Sequence, residues 1–240
     1  MKRMISLVVL ILLALCGSAM AAEATAALDM NSAYVWRGIT FNEGLVLQPS
    51  LDLTKGGLDI NVWGNLDVDD YDNTLDSGEF SEVDLTASYG FNIQKLEIRV
   101  GLIQYLFPTT EKSGAPGTRE IFASLAYPIV GGLSAGADIY YDIDQYDAFA
   151  YTDLKLSYAY KVNDKLGLEG GVSAGYAGED YTADGDPGLF DYKIFVSASY
   201  TLTKAWSVGA NLNYTDSLDK DKLPDQDTHL YGGVNISYAF

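Results

Sequence analysis

Apolar side chains recur at every second position through about a dozen runs of roughly ten residues, and this period fixes what the chain can become. It suits strands with one apolar and one polar face, not helices. The last run is the clearest. Leu230, Gly232, Val234, Ile236, Tyr238 and Phe240 share one face, and Tyr231, Gly233, Asn235, Ser237 and Ala239 the other. Trp206, Val208, Ala210, Leu212 and Tyr214 repeat the pattern just before it. The same reading predicts strands near 27–38, 45–54, 58–68, 79–91, 96–107, 118–128, 133–144, 148–162, 166–177, 189–203, 206–216 and 228–240. About ten residues let a tilted strand cross a bilayer, whereas no apolar run past the leader reaches the roughly 18 of a membrane helix.

The connections alternate in kind. Lys55-Gly56-Gly57, 92–95, 129–132, 163–165 and Lys204-Ala205 are tight turns. Most of the others, at 69–78, 108–117, 178–188 and 217–227, are longer and acidic, while those near 41–44 and 145–147 are short. Short turns at one end and longer loops at the other are the pattern of an outer-membrane barrel. Aromatics mark both ends of the apolar band: Tyr89, Phe91, Tyr127, Tyr158, Tyr160, Tyr200, Trp206, Tyr238 and Phe240 by the turns, and Tyr34, Trp36, Tyr141, Tyr176, Tyr192 and Tyr214 by the loops. A soluble sandwich with its apolar face inward would share the alternation but not the two belts. The expected fold is therefore all-β, a transmembrane antiparallel up-and-down β-barrel of about twelve strands over residues 22–240, closed so that every backbone donor and acceptor is paired.

Residues 1–21 stand apart. Lys2 and Arg3, the apolar stretch from Ile5 to Leu15 and Ala19-Met20-Ala21 form a secretory signal peptide with cleavage expected after Ala21. Cys16 follows Leu15, where an acylated cysteine wants a small residue, so it belongs to the leader; its removal leaves no cysteine. The formal net charge is −18, which argues against nucleic acid as a partner. A chain with 48% hydrophobic residues and 18 Tyr is too apolar for acidic disorder. At the other end, Val234, Ile236, Tyr238 and Phe240, spaced by two and ending on Phe, resemble the signal read by the outer-membrane barrel-assembly machinery.

Residues 31–50 carry a further resemblance. Tyr34, Trp36-Arg37-Gly38 and Gln48 are similar to the opening of the TorF family of proteobacterial porins, and Leu58 to Leu66, with Trp63-Gly64, to the strand that follows there. The resemblance is local, within residues 31–66, and implies a porin-like barrel without naming a solute.

If the apolar face meets lipid, the other face lines a lumen. One face per strand places Asp29, Asp52, Asp59, Asp67, Glu82, Asp84, Glu97, Glu120, Asp138, Asp142, Asp144, Asp153, Glu169 and Asp191 inside, with Arg37, Arg99, Lys155, Lys161 and Lys193 as the bases. So many charges cannot line a dry core, because each unpaired one would cost several kcal/mol. The lumen-lining set expected to act on solutes is Arg37, Asp52, Asp59, Glu82, Asp84, Arg99, Asp138, Asp142, Lys155, Glu169 and Lys193. The small side chains Gly167, Gly171, Ser173 and Gly175, and Ser207, Gly209, Asn211 and Asn213, leave room for a narrow channel. Twelve strands lie between a filled barrel of eight and an open one of sixteen.

The function expected is passive diffusion of cations or small polar solutes through an acidic lumen in the outer membrane. The alternative is a plugged structural or adhesive barrel acting through acidic loops. A minor alternative is a rim hydrolase using His229, the one histidine, near Asp227 and Ser217; no Gly-x-Ser-x-Gly elbow marks a nucleophile. No cofactor is expected. The expected partners are outer-membrane lipid and lipopolysaccharide, the assembly machinery and the solutes themselves, around a monomer. The acidic stretches 67–72, 184–186 and 219–221 offer oxygens to divalent ions without the spacing of a dedicated calcium loop.

Overall fold

The computed structural model describes residues 22–69, 77–108, 117–145 and 150–240. The signal-peptide reading of 1–21 and the acidic positions 70–72 lie outside these residues. Among the described residues fourteen strands follow one another: β1 (Glu23–Asn31), β2 (Tyr34–Trp36), β3 (Ile39–Asn42), β4 (Val46–Lys55), β5 (Leu58–Asp67), β6 (Phe80–Ile93), β7 (Leu96–Leu106), β8 (Thr118–Val130), β9 (Leu133–Asp142), β10 (Ala150–Lys161), β11 (Leu166–Ala177), β12 (Gly188–Thr201), β13 (Trp206–Ser217) and β14 (Leu230–Ala239). Twelve form one closed antiparallel barrel, because β1 pairs with both β4 and β14. Closure leaves no strand edge, which is what a sheet in hydrocarbon requires. The short turns favour tight pairing: Gly56 and Gly57, both at positive φ, join β4 to β5.

The apolar face points outward. Leu28 and Met30 on β1, Ile194 and Val196 on β12, Leu212 on β13 and Val234 and Ile236 on β14 are all exposed there. Exposed Tyr89, Phe91, Tyr127, Tyr158, Tyr160, Tyr200 and Trp206 ring the turn end. Tyr141, Tyr176 and Tyr214 are exposed at the loop end. Tyr238 lies against Trp206 and Phe240, with ring centroids 4.8 and 4.9 Å apart. This inside-out arrangement, with polar and glycine-rich strands facing inward, is that of an outer-membrane barrel.

The first strand is corrected. The expected strand 27–38 begins at Glu23 and ends at Asn31, and Tyr34 to Asn42 form a separate hairpin, β2–β3, that pairs with no barrel strand. Tyr34 and Trp36 are therefore not belt residues. The hairpin turns inward because its polar side chains find partners on the inner wall. The Tyr34 hydroxyl donates to Glu82 at 2.8 Å, and Asn42 Nδ2 donates to Asp67 at 2.6 Å. Behind it a ladder crosses the wall, Asn31 donating to Gln48, Gln48 to Asn65, and Asn65 to Asp67. Asp144 is corrected too. It lies past the end of β9 and meets Arg119, whose neighbour Glu120 takes the inward direction on β8, so Asp144 is not a lumen residue. On β12, Phe190 and Asp191 together oppose Gly175, and this bulge turns both side chains inward.

Candidate functional site

Three cavities follow one another down the barrel. The upper one, at the loop end, has a volume of about 290 Å³ and is bordered by Trp36, Ile39, Phe41, Glu82, Tyr105, Phe107, Glu120, Asp142, Asp180 and Tyr181 among others. The middle one, about 340 Å³, lies beneath the hairpin tip against Arg37, Gly38, Asp84, Tyr140, Tyr151, Asp153, Lys155, Asp191 and Lys193. The lower one, about 470 Å³, opens toward the turn end past Glu97, Arg99, Asp138, Lys155 and a run of Ser and Gly. Trp36 and Tyr105 border both the upper and middle cavities, and Lys155 borders both the middle and lower.

The hairpin tip borders the middle cavity. Arg37 and Gly38 occupy it, both at positive φ (49° and 78°). Glycine takes this conformation freely and arginine does not, so the tip holds Arg37 where its side chain satisfies a strong partner. That partner is Glu120: Arg37 Nη1 donates to Oε1 at 2.8 Å and Nη2 to Oε2 at 2.7 Å. The pair is nearly sealed, the two side chains being 6% and 2% exposed. The Tyr105 hydroxyl also donates to Glu120, at 2.8 Å. The guanidinium carbon sits 4.1, 4.4 and 4.6 Å from the ring centroids of Trp36, Tyr140 and Tyr151. Gly38 needs no side chain here, since a Cβ would fall 2.6 Å from Asp191 Cβ and 2.9 Å from Leu223 Cδ2.

Two loops hold the tip from above. Leu223, from the β13–β14 connection, is buried with Tyr151, Ala177 and Phe190. Thr40 N donates to Gln226 Oε1 at 3.0 Å. Lys222 reaches Asp184 in the β11–β12 loop at 2.8 Å. This ion pair holds the Asp184 carboxyl below its ordinary range, and the same bond raises the Lys222 ammonium.

The predicted lumen residues separate by height. Glu82 and Asp142 border the upper cavity; Asp84 and Lys193 the middle one; Arg99 and Asp138 the lower one. Lys155 bridges Asp138 and Asp153. Arg99 donates to Ser88 at 2.8 Å and lies 3.8 Å from Asp59. Asp52 accepts from Asn61 on the neighbouring strand, away from the three cavities. Glu169 faces a separate recess at the turn end with Lys161, Ser197 and Ser199. Val234 and Ile236 lie on the outward face, and Phe240 is 79% exposed beyond it.

The acids and bases are distributed unevenly along the path. The middle cavity has Asp84, Asp153 and Asp191 against Arg37, Lys155 and Lys193, and the lower has Glu97 and Asp138 against Arg99 and Lys155. The upper cavity has Glu82, Glu120, Asp142 and Asp180, and no Lys or Arg among the described residues that line it. Sequence reasoning assigned Trp36 to the loop-end aromatic belt and did not single out the ring residues Tyr105, Tyr140, Tyr151 and Tyr181. Their inward phase was readable on β7, β9 and β10, but their convergence on Arg37 depends on the hairpin. His229 Nδ1 lies 3.1 Å from the Thr215 carbonyl and 3.7 Å from Asp216. Ser217 Oγ is buried without a hydrogen-bond partner among the described residues, so the structure does not join it to His229. No group of three or more His, Cys, Asp or Glu able to hold a metal ion occurs among the described residues.

Comparison with solved structures places the fold among outer-membrane channels. The KdgM porin in complex with disordered oligogalacturonate matches with a TM-score of 0.58 at 9% identity, over 91% of this chain and 99% of that one. The COG4313 outer membrane channel from Pseudomonas putida F1 matches with a TM-score of 0.57 at 12% identity, over 91% and 95%. The NanC porin matches with a TM-score of 0.52 at 14% identity, over 92% and 99%. At such identities the likeness is one of fold. No curated protein matches the sequence. The TorF resemblance at residues 31–66 finds no counterpart in these comparisons. A family model does match, across residues 16–223, and the chain belongs to that family, Gcw_chp, described as a bacterial protein of unknown function.

Proposed function

We propose that the protein is a porin-like channel of the outer membrane that passes small polar solutes, cations preferred, around the β2–β3 hairpin. The observation that carries this reading is the series of three cavities along the barrel, neighbours in which share Trp36, Tyr105 or Lys155 as lining residues, with an acidic surplus at the loop end. In a barrel of this kind the longer loops face outward from the cell and the short turns face the periplasm. A solute arriving from outside then meets exposed Asp180 first, with Glu82 and Asp142 buried in the wall behind it, and such a group of acids favours cations. Oligogalacturonate, bound by the KdgM porin, is a polyanion. The acidic upper cavity here would repel one, so the proposed solute class is different. The chain works as a monomer, delivered after cleavage near Ala21 and inserted through its C-terminal signal.

Single-channel recording of the folded mature chain in a planar bilayer under a salt gradient tests this. Stable steps with a cation-selective reversal potential are expected. Silence from a folded chain would sink the reading and favour a plugged barrel acting through its acidic loops. That second reading draws on the depth of the Arg37–Glu120 pair. The rim-hydrolase reading requires an ester or lipid hydrolysis that disappears with His229→Ala; we propose no such activity.

A further inference from the structure

The upper cavity has walls of a particular kind. Trp36 is approached by Phe41, Tyr105 and Tyr181, each steeply inclined to it at 62°, 70° and 78°, with centroids 6.0, 6.1 and 6.0 Å away. All four rings border the same cavity. Phe41 is 42% exposed although it belongs to the inserted hairpin, so part of its ring surface is free to meet a ligand. The Arg37 guanidinium lies over the Trp36 ring, together with Tyr140 and Tyr151 of the middle cavity. The chain's own cation thus already uses the Trp36 ring as a platform, and the ring also borders the cavity above.

The charges around this box select its occupant. Anions are repelled by Glu82, Asp142 and Asp180, while Glu120 is engaged by Arg37. A small inorganic cation would need oxygens free to replace its water shell. Here Glu82 accepts from Tyr34, and Asp142 accepts from Thr118 and from the backbone amides of Asp144 and Gln145. These donors are neutral, so the negative field remains while both oxygens of Asp142 and one of Glu82 are tied. Aromatic faces, by contrast, attract a weakly hydrated organic cation, as in the cages that recognise quaternary ammonium groups.

We infer that the upper cavity is a binding site for a small organic cation of the quaternary ammonium class, held by the rings of Trp36, Phe41, Tyr105 and Tyr181 under the field of Glu82, Asp142 and Asp180. Only the route to the site rests on the channel reading; occupancy of the cavity does not require conduction.

The test uses the full mature chain, folded in detergent, with Trp63→Phe and Trp206→Phe so that Trp36 is the fluorophore. Choline is the probe, and its neutral isostere 3,3-dimethyl-1-butanol the control. Choline is expected to change Trp36 emission saturably, with the alcohol at least about tenfold weaker. Phe41→Leu should weaken choline about three- to tenfold. Asp180→Asn, in the loop and outside the hairpin, should weaken it while leaving the hairpin seated. Equal affinity for the alcohol, an absence of saturable binding, or both variants within about twofold of the parent would overturn the site. Choline binding by a chain that is silent in the bilayer keeps the site and removes the channel. Conduction without choline binding does the reverse.

Discussion

Replacing Glu120 with Ala isolates the force that seats the hairpin. The substitution removes both acceptors of the Arg37 fork and the acceptor of the Tyr105 hydroxyl. A buried charge that loses its partner costs about 3–5 kcal/mol. The barrel need not bear that cost, because the hairpin makes no backbone ladder with the wall and can lift to rehydrate the guanidinium. Lifting in turn breaks Tyr34–Glu82 and Asn42–Asp67, and it parts Thr40 from Gln226, a neutral bond that contributes about 0.5–1.5 kcal/mol more. Hydrogen bonds to charged groups contribute about 1.5–3 kcal/mol each, so the first two hold with about 3–6 kcal/mol. The opposing quantities are of one size, which places the variant near balance between seated and lifted states, whereas the parent stays seated.

The expected record is a parent with one conductance level and a Glu120→Ala channel that switches between that level and a larger one. Adding Tyr34→Phe should shift occupancy toward the larger level by about tenfold or more, since about 1.4 kcal/mol is a factor of ten. Arg37→Ala with Glu120→Ala should switch less than Glu120→Ala alone, because no stranded charge remains to drive lifting. The barrel ladder is untouched in each case, and the gel mobility of the folded form checks this. A single parental level in Glu120→Ala, or a double variant that switches more than the single, would refute the reasoning.

Other positions give separate tests. Gly38→Ala adds a Cβ against Asp191 and Leu223 at a positive φ, and overpacking costs about 1–3 kcal/mol; trypsin cleavage after Arg37 should rise, and unchanged cleavage would count against the tight tip. The Asp184 carboxyl is depressed by Lys222, so the clamp between the two loops is present above the ordinary 3.8 and lost as pH falls through the lower folded value; amide exchange in 218–227 should quicken below that range, and equal exchange at pH 7 would deny the clamp. Val196→Arg, at a position 55% exposed on the outward face, should destabilise the barrel in lipid by about 2–4 kcal/mol, while Ser197→Arg, facing the lumen, should cost far less; the reverse order in a denaturant titration would turn the barrel inside out. Removal of Phe240 should cut outer-membrane assembly in cells while leaving refolding in detergent intact, and normal assembly would dismiss the C-terminal signal.

The barrel was readable because a closed sheet between lipid and water imposes one rule on every strand. Val234, Ile236 and Tyr238 obey it locally, and no distant information is needed to see that they share a face. The hairpin defeats the same rule by obeying it. Tyr34 and Trp36 alternate as a belt pair would, and only the Arg37-Gly38 turn, with Gly second, hinted that the chain reverses there. What sent the hairpin inward was its set of partners on the inner wall, and these are remote: Glu120 is 83 residues from Arg37 and Glu82 is 48 from Tyr34. The bulge at Phe190 and Asp191 is hidden for a related reason, since two inward residues in a row break the period without any turn residue to announce it. The acid count along the inner face suffers most. A list of inward acids treats Glu120 and Asp142 alike, yet one is neutralised by a guanidinium and the other accepts from a hydroxyl and two amides. In the proposed channel, selectivity would therefore depend less on the total of inward acids than on where closure puts the bases, and among the described residues that line the loop-end cavity there is none.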